Sequence, residues 1–330
     1  MPSKRSGLPA ENRNSPFFSL LDTRVLDENA IHALFSHAKE LETYYEKHGV
    51  FFDPDKSKRL APKVIACLFF EASTRTFMSF QMAVIRLGHQ VLTLDIGAGS
   101  SILKGETEED TVANVAAMGP DAIVIRYNRS AGLEKLLPTL PIPVISAGIG
   151  VSSHPTQALL DAYTIFESRG SVRGEKVLIV GDVAHSRVAR SNFDVLTKLG
   201  AEIGVCGPDR FLPSADEVPG VKIFKSLNEA LEWPTVVMGL RVQLERHEDP
   251  KLKGRSIEDY KSEYHAEFGL NGARLKKLRP DAIILHPGPI NHGVEFAPEV
   301  VEDPRSRVLD QVKNGVLIRA ALLSKIFSGQ

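Results

Sequence analysis

The chain has 330 residues, which at about 150 residues per domain predicts two domains, and its 43% apolar and 25% charged residues exclude a disordered or collagen-like protein. The 40 basic residues nearly balance the 41 acidic ones, so the formal net charge is -1. Such a chain has no global field to attract nucleic acid or an anionic membrane, so we expect neither as a partner and expect any anion recognition to be local.

In the first half of the chain, short apolar segments that predict strands alternate with segments of helical periodicity. A long first helix is predicted at about 27–47, and the predicted strands are 63–70, 90–95, 121–126 and 143–147. The helices between and after them are predicted at 73–87, 107–118, 131–137 and about 154–167. Alternation of this kind predicts a parallel sheet with helices on both faces.

The same alternation resumes in the second half of the chain. The predicted strands are 176–182, 202–208, 235–241 and 282–287, with helices at 186–199 and about 306–327. We therefore predict an α/β protein of two doubly wound parallel-sheet domains, with helices on both faces and long helices linking the domains. Ligands of such proteins bind at the carboxyl ends of strands and between domains.

The domain change is predicted at the helix 155–168. The first domain is predicted at 16–153, completed by a C-terminal helix at 306–330, and the second at 154–305. Residues 1–15 are polar and are predicted to be a flexible N-terminus.

The two cysteines, Cys67 and Cys206, lie inside apolar strand segments, as is typical of reduced core residues in a cytoplasmic protein. The longest apolar run, 64–70, is far shorter than the ~20 residues that span a bilayer. The polar N-terminus also lacks the hydrophobic stretch of a secretory signal. We expect a cytoplasmic protein.

The segment Ser73-Thr74-Arg75-Thr76 follows the first predicted strand and begins a helix. Ser73 suits the N-cap position, and the first N–H groups of a helix favour an anion. Hydroxyl groups and an arginine add donors that suit phosphate. The segment therefore predicts a phosphate site without the glycines and lysine of a P-loop, although a plain capped helix with a surface arginine has the same pattern.

Two further cations follow in the first half. Lys104 lies in the small, polar and glycine-rich segment 97–107, which predicts a loop whose lysine can reach an anionic ligand or remain a solvated surface charge. Arg126 ends the strand 121–126, where an arginine is either functional or a simple strand-end residue.

His154 and Gln157 are one helical turn apart where the helix ALLDAYTIF begins, so both can face a ligand at its N-terminus. Pro155 suits the first helical turn. A histidine that only caps the helix is the alternative. No second His, Cys or carboxylate lies nearby at metal-ligand spacing, so we predict no metal site.

The second half contributes arginines at strand ends. The stretch 181–187 lacks the glycines of a dinucleotide fingerprint, but it places Arg187 at the start of a helix. Arg241 and Gln243 follow another strand, and Arg246 is either paired with Glu245 or solvated. The turn His286-Pro287-Gly288-Pro289 presents backbone carbonyls that can accept from an amide or ammonium group.

As a set, these residues are cations and hydrogen-bond donors, with no paired carboxylates and no Gly-x-Ser-x-Gly nucleophile motif. The set favours polyanionic substrates and electrostatic rather than covalent catalysis. No cofactor is predicted.

Seven segments in chain order resemble the catalytic chains of the aspartate carbamoyltransferase family: FFEASTRT (69–76), LKGETEEDT (103–111), DAIVIR (121–126), HPTQALLD (154–161), VGDVAHSRVARS (180–191), LRVQLER (240–246) and LHPGPINHGVE (285–295). The related ornithine carbamoyltransferases share the Ser-x-Arg-Thr and His-Pro-x-Gln elements but carry His-Cys-Leu-Pro late in the chain. The turn 286–289 together with Arg241 and Gln243 therefore favours a dicarboxylate acceptor.

The resemblance implies transfer of the carbamoyl group from carbamoyl phosphate to L-aspartate, a step of pyrimidine biosynthesis. It assigns Ser73, Thr74, Arg75 and Thr76 to the phosphate, and Thr76, Arg126 and His154 to the carbonyl oxygen. It assigns Gln157 and the carbonyls of Pro287 and Gly288 to the carbamoyl amide. For aspartate it assigns Arg187 to the α-carboxylate and Arg241 with Gln243 to the β-carboxylate, with Gly288, Pro289 and Lys104 also in contact.

The resemblance also implies a homotrimer in which Ser100 and Lys104 reach the site of a neighbouring subunit, with Ser101 as the alternative serine. A regulatory chain or a dihydroorotase as a further partner is left open. Two alternative functions are also left open: a transcarbamylase that acts on another amino acid, and a non-catalytic relative that serves as a scaffold. Two positions depart from the family pattern: Phe77 stands where a basic residue is usual, and His292 stands where arginine is common.

Overall fold

The computed structural model describes residues 15–52, 62–94, 105–128, 130–242 and 256–328. The chain divides into two units: unit 1 holds the residues up to Leu159 and those from Val312 onward, and unit 2 holds Leu160–Gln311. The division falls inside two helices, Pro155–Arg169 and Val308–Ser328, so each of these helices contributes to both units. The predicted flexible N-terminus lies, apart from Ser15, outside the described residues.

Unit 1 contains a four-stranded parallel sheet of order β2-β1-β3-β4. Its strands are β1 (Val64–Phe69), β2 (Gln90–Thr93), β3 (Ala122–Tyr127) and β4 (Val144–Ile149). Its helices are α1 (Glu28–His48), α2 (Thr74–Arg86), α3 (Glu108–Ala117), α4 (Ala131–Leu136) and the beginning of α5 (Pro155–Arg169). Short 3-10 helices lie at Thr23–Val25 and Leu137–Thr139.

Unit 2 contains a five-stranded parallel sheet of order β7-β6-β5-β8-β9. Its strands are β5 (Lys176–Val180), β6 (Glu202–Cys206), β7 (Lys222–Phe224), β8 (Val236–Gly239) and β9 (Ile283–Leu285). Its helices are α6 (Arg187–Lys198), α7 (Leu227–Ala230), α8 (Ile257–Phe268), α9 (Gly272–Leu275), α10 (Pro298–Glu302) and the beginning of α11 (Val308–Ser328), with a 3-10 helix at Asp209–Phe211.

The two parallel sheets confirm the predicted fold class. Every predicted strand is present with slightly different ends. The residues of β1, β3, β4, β5, β6, β8 and β9 are almost all buried, as expected where helices cover both faces, whereas the edge strand β2 is largely exposed. The sequence patterns did not predict β7, α7, α8, α9 or α10. Of these, β7 is three residues long and largely exposed, so it lacks the continuous apolar run of the inner strands.

Within the described ranges, no helix combines the length and the hydropathy needed to cross a bilayer.

The carboxylate of Glu42 joins α1 to the part of α11 that belongs to unit 1. It accepts hydrogen bonds from Lys39 on its own helix, at 2.7 Å, and from Lys313 on α11. Burial opposes ionisation of Glu42, but the hydrogen bonds from the two lysines outweigh burial and lower its pKa below the ordinary value of 4.5. The ionised form is therefore the one that the folded protein stabilises.

We expect the Glu42→Gln variant to unfold about 2–5 °C below the wild type at pH 7. Because the folded pKa is lowered, this stabilisation is complete above the unfolded pKa near 4.5 and is lost as the pH falls through the folded pKa. Thermal unfolding at a series of pH values measures the difference, with Glu46→Gln, an exposed position one turn later on α1, as the control. If the difference in unfolding temperature between the wild type and Glu42→Gln does not become smaller in acid, the ionised Glu42 carboxylate is not the source of the stabilisation.

Candidate functional site

In unit 1, three neighbouring strands end at the same edge of the sheet because all are parallel. Arg126 on β3 is in register with Phe69, the last residue of β1, and its carbonyl accepts a hydrogen bond of 2.8 Å from the Phe70 N–H. The residues that follow β1 therefore leave the sheet beside Arg126.

The Arg126 guanidinium lies between the ends of two strands. Its Nη1 donates to the carbonyl of Ala147 on β4 at 3.3 Å, and its Nε is 3.5 Å from Glu71 Oε2. The side chain is 11% exposed. These contacts fix the plane of the guanidinium at the sheet edge, where its charge can act on a ligand. Sequence reasoning did not single out Glu71, although it lies inside the FFEASTRT motif.

The segment Ser73–Thr76 begins α2, but its local geometry differs from the expectation. Ser73 occupies the N-cap position, as predicted, but among the described contacts its side chain makes no capping hydrogen bond to the helix. Thr74 and Arg75 are exposed in the first turn, and Thr76 is buried. The first turn of a 13-residue helix thus presents N–H groups, hydroxyl groups and a guanidinium, an arrangement that favours an anion.

His154 and Gln157 lie at the start of α5, after β4 and a tight turn closed by the Ile149 N–H donating to the Ser153 carbonyl at 2.9 Å. Both side chains are buried, and the His154 carbonyl accepts from the N–H groups of Gln157 and Ala158. Pro155 is the first residue of the helix, as predicted.

Arg319, on the unit 1 part of α11, connects the two helices that carry these residues. Its Nη1 donates to Ser79 Oγ on α2 at 2.8 Å, and its Nη2 lies 3.4 Å from Thr156 Oγ1 on α5. The guanidinium also stacks over Phe80, 5.1 Å from the ring centroid. This buried arginine fixes α2 against α5, and no local motif predicts it because its partners are distant in sequence.

Phe77, one of the two departures from the family pattern, packs edge-on against Phe69 with ring centroids 5.0 Å apart. The aromatic contact holds the first turn of α2 against the end of β1.

In unit 2, the neighbouring strands β5, β8 and β9 also end at one edge. Arg187 is the first residue of α6, which follows β5 and is capped by Ser186 Oγ accepting from the Ala189 N–H. Arg241 follows β8, where the Leu240 N–H donates to the Val180 carbonyl at 2.8 Å. Gly181 has φ +133°, and a Cβ there would lie 2.8 Å from the Leu240 carbonyl oxygen, so only glycine allows this approach.

The turn 286–289 follows β9 and contains a cis peptide bond between Gly288 and Pro289. The Gly288 N–H donates to His286 Nδ1 at 2.9 Å, and the His286 N–H donates to Gln311 Oε1 at 2.8 Å. These bonds fix the backbone that carries the Pro287 and Gly288 carbonyls.

The buried carboxylate of Asp161 extends this network. Its Oδ1 accepts from Gln311 Nε2 at 2.7 Å, and its Oδ2 accepts from Asn192 Nδ2 at 2.9 Å. Asp161 thereby links α6, which begins with Arg187, to the turn at 286–289. The side chain belongs to the HPTQALLD motif, but the sequence alone assigned it no role.

Neither cysteine of the chain is suited to act as a nucleophile. Cys67 and Cys206 are buried, and burial raises the pKa of each thiol to about 12. Both thiols are therefore protonated at neutral pH.

Each unit brings its own share of the predicted site residues to one sheet edge. Unit 1 contributes Ser73, Thr74, Arg75, Thr76, Arg126, His154 and Gln157, and unit 2 contributes Arg187, Arg241, Pro287, Gly288 and Pro289. Ser100, its alternative Ser101, Lys104, Gln243 and Arg246 lie outside the described residues. Among the residues that the structure describes, no group of three His, Cys, Asp or Glu side chains could hold a metal ion.

Two family domains match nearly the whole chain. Residues 19–167 match the aspartate/ornithine carbamoyltransferase carbamoyl-P binding domain, and residues 173–326 match the Asp/Orn binding domain of the same family. The second match leaves open which of the two amino acids the acceptor is.

Individual relatives narrow that choice. The aspartate carbamoyltransferase catalytic subunit of Solibacter usitatus is 43% identical over 309 residues, covering 93% of this chain and 98% of that protein. The catalytic subunit of the same name from Myxococcus xanthus is 48% identical over 270 residues, covering 82% of this chain and 89% of that protein.

A solved structure shows the same similarity in three dimensions. The aspartate transcarbamoylase from Trypanosoma cruzi, in complex with carbamoyl phosphate and aspartate, matches with a TM-score of 0.80 and 29% sequence identity. The match covers 92% of this chain and 95% of that one, so it includes both units.

Proposed function

The chain belongs to the aspartate/ornithine carbamoyltransferase family. We infer from its similarity to the individual relatives that it is an aspartate carbamoyltransferase catalytic chain. It transfers the carbamoyl group of carbamoyl phosphate to L-aspartate, giving N-carbamoyl-L-aspartate and phosphate, a step of pyrimidine biosynthesis. The observation that carries this function is the 43–48% identity, over most of the chain, to relatives that bear this name.

We propose that the unit 1 edge binds carbamoyl phosphate. Ser73, Thr74, Arg75 and Thr76 hold the phosphate at the N-terminus of α2. Thr76, Arg126 and His154 polarise the carbonyl oxygen, and Gln157 with the carbonyls of Pro287 and Gly288 holds the amide. The support is chemical: a helix N-terminus and a fixed guanidinium suit a dianionic phosphate and a developing oxyanion.

For L-aspartate we propose Arg187 as the partner of the α-carboxylate and Arg241 with Gln243 as the partners of the β-carboxylate. Lys104, Gly288 and Pro289 complete the contacts. Arg187 and Arg241 follow the neighbouring strands β5 and β8, so two cations lie at one sheet edge, as a dicarboxylate requires.

In the reaction, the amine nitrogen of aspartate bonds to the carbamoyl carbon, and the bond from that carbon to the phosphate oxygen breaks with its electron pair leaving on phosphate. The mixed anhydride has a good leaving group, so no protein nucleophile is needed, and the buried thiols offer none. Alignment and stabilisation of the oxyanion therefore supply the catalysis. We propose that the amine proton goes to the departing phosphate or to water, because arginine cannot accept it.

An acceptor panel tests the function directly. We expect the purified protein to release phosphate from carbamoyl phosphate with L-aspartate and to show no turnover with L-ornithine. Turnover with ornithine alone would establish a transcarbamylase for another amino acid, and no turnover with any acceptor would establish a non-catalytic relative.

Arg126→Ala tests the oxyanion role. We expect kcat to fall about 100-fold or more, because a fixed donor that acts on the transition state is lost. Steady-state kinetics give the value, thermal unfolding shows whether the variant is folded, and Arg24→Ala, at an exposed arginine of the same unit, is the control. Near-normal turnover in a folded Arg126→Ala variant would show that Arg126 does not stabilise the oxyanion.

We propose that the chain forms a homotrimer in which Ser100 and Lys104 complete the site of a neighbouring subunit. On α2, Met78, Met82 and Ile85 form an exposed apolar stripe with 60%, 42% and 60% exposure. The adjacent edge strand β2 exposes Leu92, and Ser100 and Lys104 come seven and eleven residues after that strand in the sequence. An apolar stripe of this kind favours contact with a second copy of the chain.

Subunit mixing tests the shared site. The Lys104→Ala and Arg126→Ala variants are each expected to be nearly inactive, whereas trimers reassembled from an equal mixture should regain up to about a quarter of wild-type activity. Light scattering gives the oligomeric mass. No recovery on mixing, with trimers present, would contradict a site that takes Lys104 from a neighbour.

The two reduced, buried cysteines support our proposal that the protein is cytoplasmic, where thiols stay reduced.

A further inference from the structure

Glu295 is a buried carboxylate to which the reaction assigns no role. Its side chain is 3% exposed and lies between β9 and α10 in unit 2. Burying a carboxylate is costly unless hydrogen bonds compensate, so its partners indicate what it does.

Both carboxylate oxygens accept hydrogen bonds. Oε1 accepts from the Val242 N–H at 2.6 Å and from Asn291 Nδ2 at 2.9 Å. Oε2 accepts from the Asn291 N–H at 2.8 Å. Two of the three donors are backbone groups, so Glu295 fixes main chain rather than neutralising a cation.

The two backbone groups belong to different substrate-binding segments. Val242 directly follows Arg241 after β8, and Asn291 lies two residues after Pro289 in the segment that follows β9. Glu295 therefore joins the segment that carries Arg241 to the segment that carries the Gly288 and Pro289 contacts.

The space around the Glu295 side chain leaves little room for water molecules that could replace its carboxylate as a hydrogen-bond acceptor. A cavity of about 10 Å³ is lined by Glu295, Tyr264, Phe268, Phe296 and other mostly apolar side chains, which is space for at most one water molecule. Burial raises the pKa of Glu295, although the hydrogen bonds from Val242 and Asn291 favour the ionised form. Without the carboxylate, the buried Val242 N–H would lose its partner.

We propose that Glu295 is a positioning residue for aspartate: by tying the backbone of Val242 to that of Asn291, it sets the distance between Arg241 and the 287–289 turn. The inference rests on the proposed function, because it assigns aspartate to these two segments. Its effect should fall more on aspartate than on carbamoyl phosphate, because Arg241 and the turn both contact aspartate, whereas the turn supplies only the two carbonyls that hold the carbamoyl amide.

The experiment compares Glu295→Gln, Asn291→Ala and the double variant with the wild type, using Glu302→Gln, at an exposed glutamate of α10, as the matched control. Glutamine keeps the size of the side chain but replaces one acceptor oxygen by a donor. We expect Glu295→Gln to raise the KM for aspartate about tenfold and the KM for carbamoyl phosphate by less than about twofold. Asn291→Ala should raise the aspartate KM in the same direction.

The double variant separates positioning from general stability. If both side chains act through the same hydrogen-bonded contact, the aspartate KM of the double variant should be no higher than that of Glu295→Gln. If they act independently, the two increases in KM should multiply. Thermal unfolding of every variant shows whether a KM change follows only from a loss of stability.

An unchanged aspartate KM in Glu295→Gln, or an equal rise in both KM values that tracks the fall in thermal midpoint, would overturn the proposal. If Glu295→Gln does not fold, Asn291→Ala decides by the same criteria, because Asn291 is only half-buried. Turnover of the wild type with aspartate tests the proposed function separately. The inference about Glu295 is tested only by the ratio of each variant's KM to the wild-type KM.

Discussion

A site for two anionic substrates must gather positive charge, and the like charges that it gathers repel one another. The chain as a whole offers no excess of positive charge, because its net charge is -1. Parallel strands meet the requirement by geometry: β1, β3 and β4 in unit 1, and β5, β8 and β9 in unit 2, deliver their following residues to one edge of each sheet. The backbone ladder therefore holds the cations in place against their repulsion, and the rest of the site depends on it.

The acidic side chains of the site regions serve mainly to hold backbone and amide groups. Asp161 accepts from two side-chain amides, and Glu295 accepts from two backbone N–H groups and an amide. Glu71 differs from these two, since it lies 3.5 Å from Arg126 Nε. A carboxylate that binds N–H groups orders the site without cancelling a charge that the substrates need, which is why we assign Glu295 to positioning.

The sequence predicted the fold class and the sheet edges to which the candidate site residues belong, because both follow from local patterns. Apolar runs mark inner strands of a parallel sheet, and polar motifs directly after them mark sheet edges. The N-cap position of Ser73 was predicted correctly, but the capping hydrogen bond is not made within the described part of the chain, because residue type indicates only what a serine can do and its rotamer depends on the surrounding structure. The helix α8 was missed because only Tyr264 and Phe268 of its residues are buried, which gives too weak a period to recognise.

The residues that fix the site from behind, such as Arg319 and Gln311, could not be predicted from local sequence patterns, because their partners are distant in the chain. Arg319 contacts Ser79, 240 positions away, and Gln311 contacts Asp161, 150 positions away. No spacing rule predicts such pairs, because the fold and not the chain brings them together. Yet electrostatic catalysis depends on donors fixed before the substrate arrives, since reorienting them during the reaction would cost the free energy that they should supply. A site of this kind therefore extends as far as the contacts that fix its backbone, and a residue such as Glu295 can control the binding of aspartate without touching it.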